Sequence, residues 1–193
     1  MKQWALGTVL GAIAMFIWGF IYWGTGVVDP FSHASGEGEA AVATALASSL
    51  PAAGVYFVPD MANGTVEQWV ERHKAGPIAM VSFQSAGADP QSPMKMLAGF
   101  VHMLVTVGVL GAAVLLAGLS SFADRFRLAA VIGVAATIFA NLGDPIWFHA
   151  PWGFHLTVAV YDIVAWLAAG AVLAYFIKPQ AAGSSIEAPA PAE

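Results

Sequence analysis

Four long apolar runs divide the chain, and charged residues are scarce within each of them. They cover residues 4–28, 96–119, 128–148 and 154–177. At a rise of about 1.5 Å per residue, a helix of about 20 residues crosses a hydrocarbon core about 30 Å thick. The pattern therefore predicts four transmembrane helices. A secretory signal peptide is a rival interpretation of the first run, but that run is longer than the usual apolar core of about 7–15 residues. We therefore expect an anchor.

The polar segment between the first two runs, residues 29–95, carries its own pattern of short elements. A helix is predicted over 39–50, a strand over 54–58, a second helix over 65–73 and a second strand over 78–83. Thr65 and Gln68 have the spacing of a capping box. Because two β-like runs need each other's edges, we expect a small folded α+β cap. The predicted fold class is an all-α membrane protein, a four-transmembrane-helix bundle with this extracytoplasmic cap between helices 1 and 2.

The basic residues that flank the runs predict the orientation. With four spans, Lys2, Arg125, Arg127 and Lys178 all lie on one side, and basic flanks mark the cytoplasmic side. Both termini are therefore expected in the cytoplasm. The predicted domains are helix 1 over 1–28, the cap over 29–95, helices 2–4 over 96–178 and a disordered cytoplasmic tail over 179–193.

The amino-acid composition limits the environment in which the chain can fold and the partners that it can bind. The chain is 59% hydrophobic and 10% charged, whereas soluble domains are about 25% charged, so the lipid bilayer is the expected surrounding. Its seven Lys and Arg residues form no basic cluster, which excludes a nucleic-acid partner. Cysteine is absent, which excludes disulfides, thiolate metal sites and cysteine nucleophiles.

Polar residues inside the spans are the candidate site. Asp162 lies about 13 Å into the fourth span, where a carboxylate costs about 2.5–3.5 kcal/mol unless it faces a partner. His155 shares its helix face, while Asn141 of the third span and His102 of the second lie about 8 and 9 Å deep. We therefore predict one polar cluster in the outer half of the bundle, and its candidate residues for binding a cofactor or ligand are His102, Asn141, His155 and Asp162. The preferred hydrogen-bond partners of Asp162 are His102 and Asn141.

Two interpretations of this cluster stay open at the level of sequence. The four side chains form either interhelical hydrogen bonds that hold the bundle together or a site that opens outward. Two histidines on facing helices can hold a haem, so His102 with His155 is a permissible pair. The sequence identifies neither a cofactor nor a metal. It also lacks the standard hydrolase, phosphate-binding and dinucleotide-binding motifs, so we expect a protein that is not an enzyme.

Several short motifs occur together along the chain. They are Gly7 with Gly11, Trp18 and Trp23 in the first run, GVYFVP at 54–59, Gly76 with Pro77, and PWGF at 151–154 followed by Asp162 and Trp166. In this arrangement the chain resembles a group of small, uncharacterised four-span bacterial inner-membrane proteins without an assigned activity. The resemblance implies the four-span fold and a bacterial inner membrane, and it implies no chemistry.

The expected function is that of a non-catalytic integral membrane protein. It would serve as an accessory subunit of a larger membrane complex or bind a small apolar or lipid ligand. One alternative is a haem- or metal-binding redox membrane protein that uses His102, His155 and Asp162. Another alternative is a small transporter or channel. The possible protein partners are the subunits of a membrane complex or further copies of the chain.

Overall fold

The computed structural model describes residues 2–178, so the tail predicted over 179–193 lies outside the described residues. Four helical segments are long and apolar enough to cross a membrane, as predicted. The first consists of α1 (Lys2–Gly19) and a π-helical turn (Phe20–Gly24), and the second is α4 (Pro93–Leu116). The third consists of α5 (Phe122–Asn141) and α6 (Gly143–Trp147), and the fourth is α7 (Trp152–Phe176).

The third segment differs from the continuous helix that the sequence predicted. Helix α5 ends at Asn141, and α6 follows after Leu142. Pro145 explains the interruption, because proline has no N–H to donate to the carbonyl four residues earlier, which is that of Asn141. At its other end α5 begins six residues earlier than the predicted start at 128, at Phe122, because the Ser121 hydroxyl caps the helix and accepts from the N–H of Asp124 over 3.0 Å.

The long helices pack in the order α4, α1, α7 and α5. Helix α1 contacts α4 and α7 extensively, α7 also contacts α5, and α4 has only sparse contacts with α5 and α7. Small residues allow the helices to approach closely. A Cβ on Gly133 of α5 would overlap the side chain of Trp166 on α7, and one on Gly11 of α1 would lie 2.8 Å from Val107 of α4. Glycine at these two positions therefore fixes the α5–α7 and α1–α4 contacts.

The cap predicted over 29–95 ends at residue 92 in the structure, because α4 begins at Pro93, three residues before the predicted start at 96. It contains two helices and two strands. They are α2 (Gly36–Ser49), β1 (Gly54–Val58), α3 (Val66–Ala75) and β2 (Ala79–Phe83). The strands form an antiparallel pair in which Gly54 lies opposite Phe83 and Val58 opposite Ala79. The predicted capping box is present, with the Thr65 hydroxyl accepting from the Gln68 N–H and the Gln68 amide oxygen accepting from the Thr65 N–H. The antiparallel pairing of β1 with β2 also confirms the predicted strand pair.

Candidate functional site

A hydrogen bond between Asn141 and Asp162 joins α5 to α7 in the half of α7 that lies nearer the cap. The Asn141 Nδ2 donates to Oδ2 of Asp162 over 2.7 Å and also to the carbonyl of Thr137 over 3.2 Å. Asn141 is 8% exposed, so its amide is held inside the helix pair. Of the two partners predicted for Asp162, the structure thus places Asn141 in contact with it.

Thr137 extends the polar character of this contact one turn along α5. Its side chain is 1% exposed, and its hydroxyl has no hydrogen-bond partner within residues 2–178. A buried hydroxyl without a partner is uncommon, because its desolvation is not compensated. The interface between α5 and α7 therefore contains a carboxyl, an amide and a free hydroxyl in an otherwise apolar surrounding.

Aromatic side chains on the opposite side of α7 connect it to α1. The Trp18 indole donates to the carbonyl of Tyr161 over 3.0 Å, and the Tyr22 hydroxyl donates to the carbonyl of Thr157 over 2.9 Å. Tyr22 belongs to the π-helical turn, whose wider winding changes the direction of its side chains relative to a continuous α-helix, and it is 8% exposed. The indole and phenol groups thus connect α1 to two backbone carbonyls in the turns of α7 just before Asp162.

The two predicted histidines lie apart from the Asn141–Asp162 pair. His102 is exposed on the outer face of α4. The predicted place of His102 beside Asp162 is therefore wrong, because α4 packs on α1 and has few contacts with α5 and α7. His155 is half-buried on α7, with its ring 5.3 Å from that of Phe154. The structure thus brings together two of the four predicted site residues.

The side chains around Asn141 and Asp162 offer few possible metal ligands, and most of those are oxygen atoms. Across residues 2–178, no group of three or more His, Cys, Asp or Glu side chains has an arrangement that could hold a metal ion. The pair itself offers one carboxylate and one amide, which suit a hydrogen bond between helices or a polar group of a ligand. Whether the four residues bind a cofactor stays a prediction.

Arg125 is an important polar residue that sequence reasoning treated only as a marker of orientation. Its side chain is 5% exposed at the end of α5 far from the cap. The guanidinium donates to the carbonyl of Ala174 over 3.0 Å and to those of Leu119 and Ser120 over 3.0 and 2.7 Å. It thereby connects the C-terminal turn of α7, where unpaired carbonyls and the helix dipole favour a cation, to the loop between α4 and α5.

The cap contacts the turn between α6 and α7 through aromatic rings. Phe57 of β1 lies 5.9 Å from Phe148, and His73 of α3 lies 5.4 Å from His149, measured between ring centroids. His149 has a φ of 57°, a left-handed conformation that is uncommon outside glycine. The His73 ring also lies 5.1 Å from that of Trp69. We call these five side chains the aromatic joint, since they connect the cap to the helices.

A cleft of about 550 Å³ opens in the cap along β1. Its apolar wall includes Leu50, Val55 and Phe57. Its polar end contains Asp60 and Arg72, whose guanidinium donates to the carbonyl of Asp60 over 3.3 Å. Within residues 2–178, β1 pairs with β2 alone, so one edge of each strand has no neighbouring strand there.

Comparison with known proteins adds no assignment to these features. Models of known protein families, characterised proteins and solved structures were compared with the chain, and none of them matches it.

Proposed function

We propose that the chain is a non-catalytic integral membrane protein of a bacterial inner membrane and an accessory subunit of a larger membrane complex. Four helices long and apolar enough to cross a bilayer support the membrane location. In this proposal they form a transmembrane bundle, the cap lies outside the cytoplasm and both termini lie inside. Lys2 in the first turn of α1, Arg125 and Arg127 in the first turns of α5, and Lys178 just after α7 lie on the side opposite the cap, and they support this orientation.

The observation that carries the proposal is the number of apolar side chains that the cap exposes. Val55, Met61 and Val66 are 70%, 55% and 58% exposed, and Met80 on the neighbouring strand is 44% exposed. A water-facing surface that exposes many apolar side chains is typical of a protein interaction site. In this proposal a partner subunit covers them.

The free edge of β1 defines how such a partner binds. Backbone N–H and C=O groups along an unpaired strand edge form hydrogen bonds with an added strand, and adjacent pockets select its side chains. The cleft along β1 combines this edge with an apolar wall, and Asp60 and Arg72 at one end can contact a polar group. An extended segment of the partner subunit is the occupant that fits these features.

A second candidate function is the binding of a small apolar or lipid ligand in the same cleft. Its volume of about 550 Å³ falls in the range of ligand pockets, about 300–1,000 Å³. The apolar wall would contact the hydrocarbon part of such a ligand. After purification, a partner protein would remain bound under the first candidate function, and a lipid or other small apolar ligand would remain bound under the second.

The test is purification in mild detergent of the wild type and of two matched variants. Val55→Lys places a charge at the β1 edge, while Val42→Lys introduces the same change at a residue of α2 that is 55% exposed and lies outside the cleft. We expect a stoichiometric partner protein with the wild type and Val42→Lys, and its loss with Val55→Lys. A bound lipid without any protein would support the second candidate. Retention of the partner by Val55→Lys would contradict docking at β1.

The same preparation tests the redox alternative. An optical spectrum and an elemental analysis of the purified protein would reveal a haem or a bound metal directly. Stoichiometric haem in the wild type would replace the accessory-subunit proposal with the redox one.

A further inference from the structure

His102 occupies an unusual position for a polar side chain. It is the tenth residue of α4, about 14 Å along the helix axis from Pro93, in a 24-residue helix whose most apolar 18-residue stretch has a mean hydropathy of 2.2. Its side chain is exposed on the outer face of the helix. In a membrane this position lies inside the hydrocarbon layer, where polar residues normally face other protein.

The packing of α4 explains why His102 points outward. The buried residues of α4 are Val107, Leu110, Gly111 and Val114, and α1 is the helix that α4 contacts extensively. At about 100° per residue, the first of these lies about 140° around the helix from His102. The Thr106 hydroxyl donates to the backbone carbonyl of His102 over 3.0 Å, but neither imidazole nitrogen has a hydrogen-bond partner within residues 2–178.

Two other polar side chains in the long helices find hydrogen-bond partners within residues 2–178. The Asn141 amide bonds to Asp162, and the Trp18 indole bonds to the carbonyl of Tyr161. Hydrocarbon supplies neither a donor nor an acceptor, so lipid cannot replace such a partner for His102. The exposed imidazole therefore indicates a protein surface that lies against α4 from outside this chain.

The residues around His102 form a seam of the kind that two packed helices share. Alternating spacings of four and three, the period of a left-handed helix pair, relate its members: Ala98, His102, Val105, Val109, Ala112 and Leu116. Val105, Val109 and Leu116 are 62%, 68% and 89% exposed. A Cβ on the nearby Gly99 would meet no atom within 4 Å, so this side of α4 has space for another helix.

We propose that α4 of a second copy of this chain covers the seam, forming a symmetric dimer in the membrane. A neutral imidazole has one donor and one acceptor, so two His102 side chains can bond to each other. All copies insert in the same orientation, and a two-fold axis along the membrane normal therefore places both His102 residues at the same depth. An isologous interface of this kind brings a residue on the axis opposite itself. The seam is separate from the cap and does not depend on the accessory-subunit proposal.

Cysteine cross-linking tests the dimer directly, because the natural chain contains no cysteine. Val105→Cys and Val109→Cys place single thiols on the seam, and Val131→Cys, on α5 and 67% exposed, is the matched control. A disulfide requires Cα atoms about 4.4–6.8 Å apart. In membranes that contain the chain as the sole added protein, we expect disulfide-linked dimers for the two seam variants and not for the control. Equal cross-linking at all three positions, or none at the seam, would overturn the proposal.

Substitution of His102 tests the role of the imidazole. After reconstitution, His102→Leu should dimerise about 3- to 18-fold more weakly than the wild type, as expected for the loss of one interhelical hydrogen bond. His102→Asn, which keeps a donor and an acceptor, should retain most of the affinity. Circular dichroism of both variants verifies that the monomer still folds. A dimer unaffected by His102→Leu would show that the imidazole does not hold the interface. Because the reconstituted protein has no partner subunit, these results are independent of partner binding at the cap.

Discussion

The amide nitrogen of Asn141 lies 2.7 Å from a carboxyl oxygen of Asp162, and this hydrogen bond connects α5 to α7. Asn141 also bonds to the carbonyl of Thr137 one turn earlier on its own helix. Both N–H groups of the amide are therefore used, which fixes its orientation toward α7. The bond thereby defines the rotation of the two helices relative to each other.

The first prediction concerns the stability that this bond provides. Asn141→Ala should lower the free energy of unfolding by about 1–3 kcal/mol, because it leaves a carboxyl without its partner. Asp162→Asn should cost less, since an amide still accepts a hydrogen bond. Denaturation of the purified protein in mixed detergent micelles measures both values. A coupling energy near zero in a double-mutant cycle of the two positions would show that the bond contributes nothing.

The same variants separate a structural role from a functional one. If the pair only holds helices together, Asp162→Asn should keep both assembly and the bound partner or ligand. If it belongs to a binding site, Asp162→Asn should remain folded and lose that ligand or partner during purification.

The second prediction concerns Arg125, whose guanidinium bonds to three backbone carbonyls. Arg125→Ala should destabilise the protein by about 1.5–3 kcal/mol, since hydrogen bonds of a charged donor are lost at a buried position. Arg127 is the matched control, because its side chain is 76% exposed and forms only a surface ion pair with Asp124. Arg127→Ala should change the stability by less than about 1 kcal/mol. Equal effects of both substitutions would contradict a structural role for Arg125.

The third prediction addresses the aromatic joint between the cap and the helices. Phe148→Ala removes the contact with Phe57 and should accelerate proteolysis within residues 54–83 about 2- to 13-fold, the range expected for one aromatic pair. Phe139 is the matched control, because it lies on α5 and is 89% exposed. An unchanged cleavage rate for Phe148→Ala would show that the joint does not hold the cap.

The fourth prediction concerns pH and the segment that follows α1. The hydrogen bond from His33, 2.8 Å away, lowers the pKa of the Asp29 carboxyl, and the backbone N–H of Phe31 lowers that pKa further. The folded-state pKa is below the unfolded value of about 3.9. The hydrogen bonds to the Asp29 carboxylate therefore stabilise the folded protein at pH values above about 3.9. This stabilisation is lost as the pH falls through the folded-state pKa.

NMR titration of the Asp29 carboxyl carbon in detergent measures this pKa. His33→Ala should raise it toward the unfolded value. No difference between the variant and the wild type would exclude the contact with His33 as the cause.

The fifth prediction concerns orientation in the membrane. Reporter domains inserted after Ala123 and at the C-terminus should both lie in the cytoplasm, and one after Asn63 should lie outside, because basic flanks stay inside. A periplasmic reporter at position 123 would contradict the four-span topology.

Local sequence signals predicted the elements of the chain well. Apolar length identified the four long helical segments, and the Thr65–Gln68 spacing marked the start of α3, since both depend on residues close together in sequence. The contact of Asn141 with Asp162 was also predictable, because polar side chains inside apolar helices require partners.

The sequence did not determine which helices are neighbours. The spacing of Gly99, His102 and Thr106 defines one face of α4, but it does not show that α4 packs on α1 instead of α5. The hydrogen bonds of Arg125 were not predicted, for a related reason. Its role depends on the carbonyl of Ala174, which lies 49 residues away in the chain, and no local pattern reports that proximity.

The place of α1 between α4 and α7 determines how the protein is assembled during synthesis. α1 leaves the ribosome first, yet both of its neighbours are translated only after the cap. Until then neither neighbour can cover its small-residue faces. α7 is translated last of the long helices, and it is the neighbour that α1 and α5 share. A nascent chain truncated before Trp152 would therefore leave α1 and α5 without their common contact.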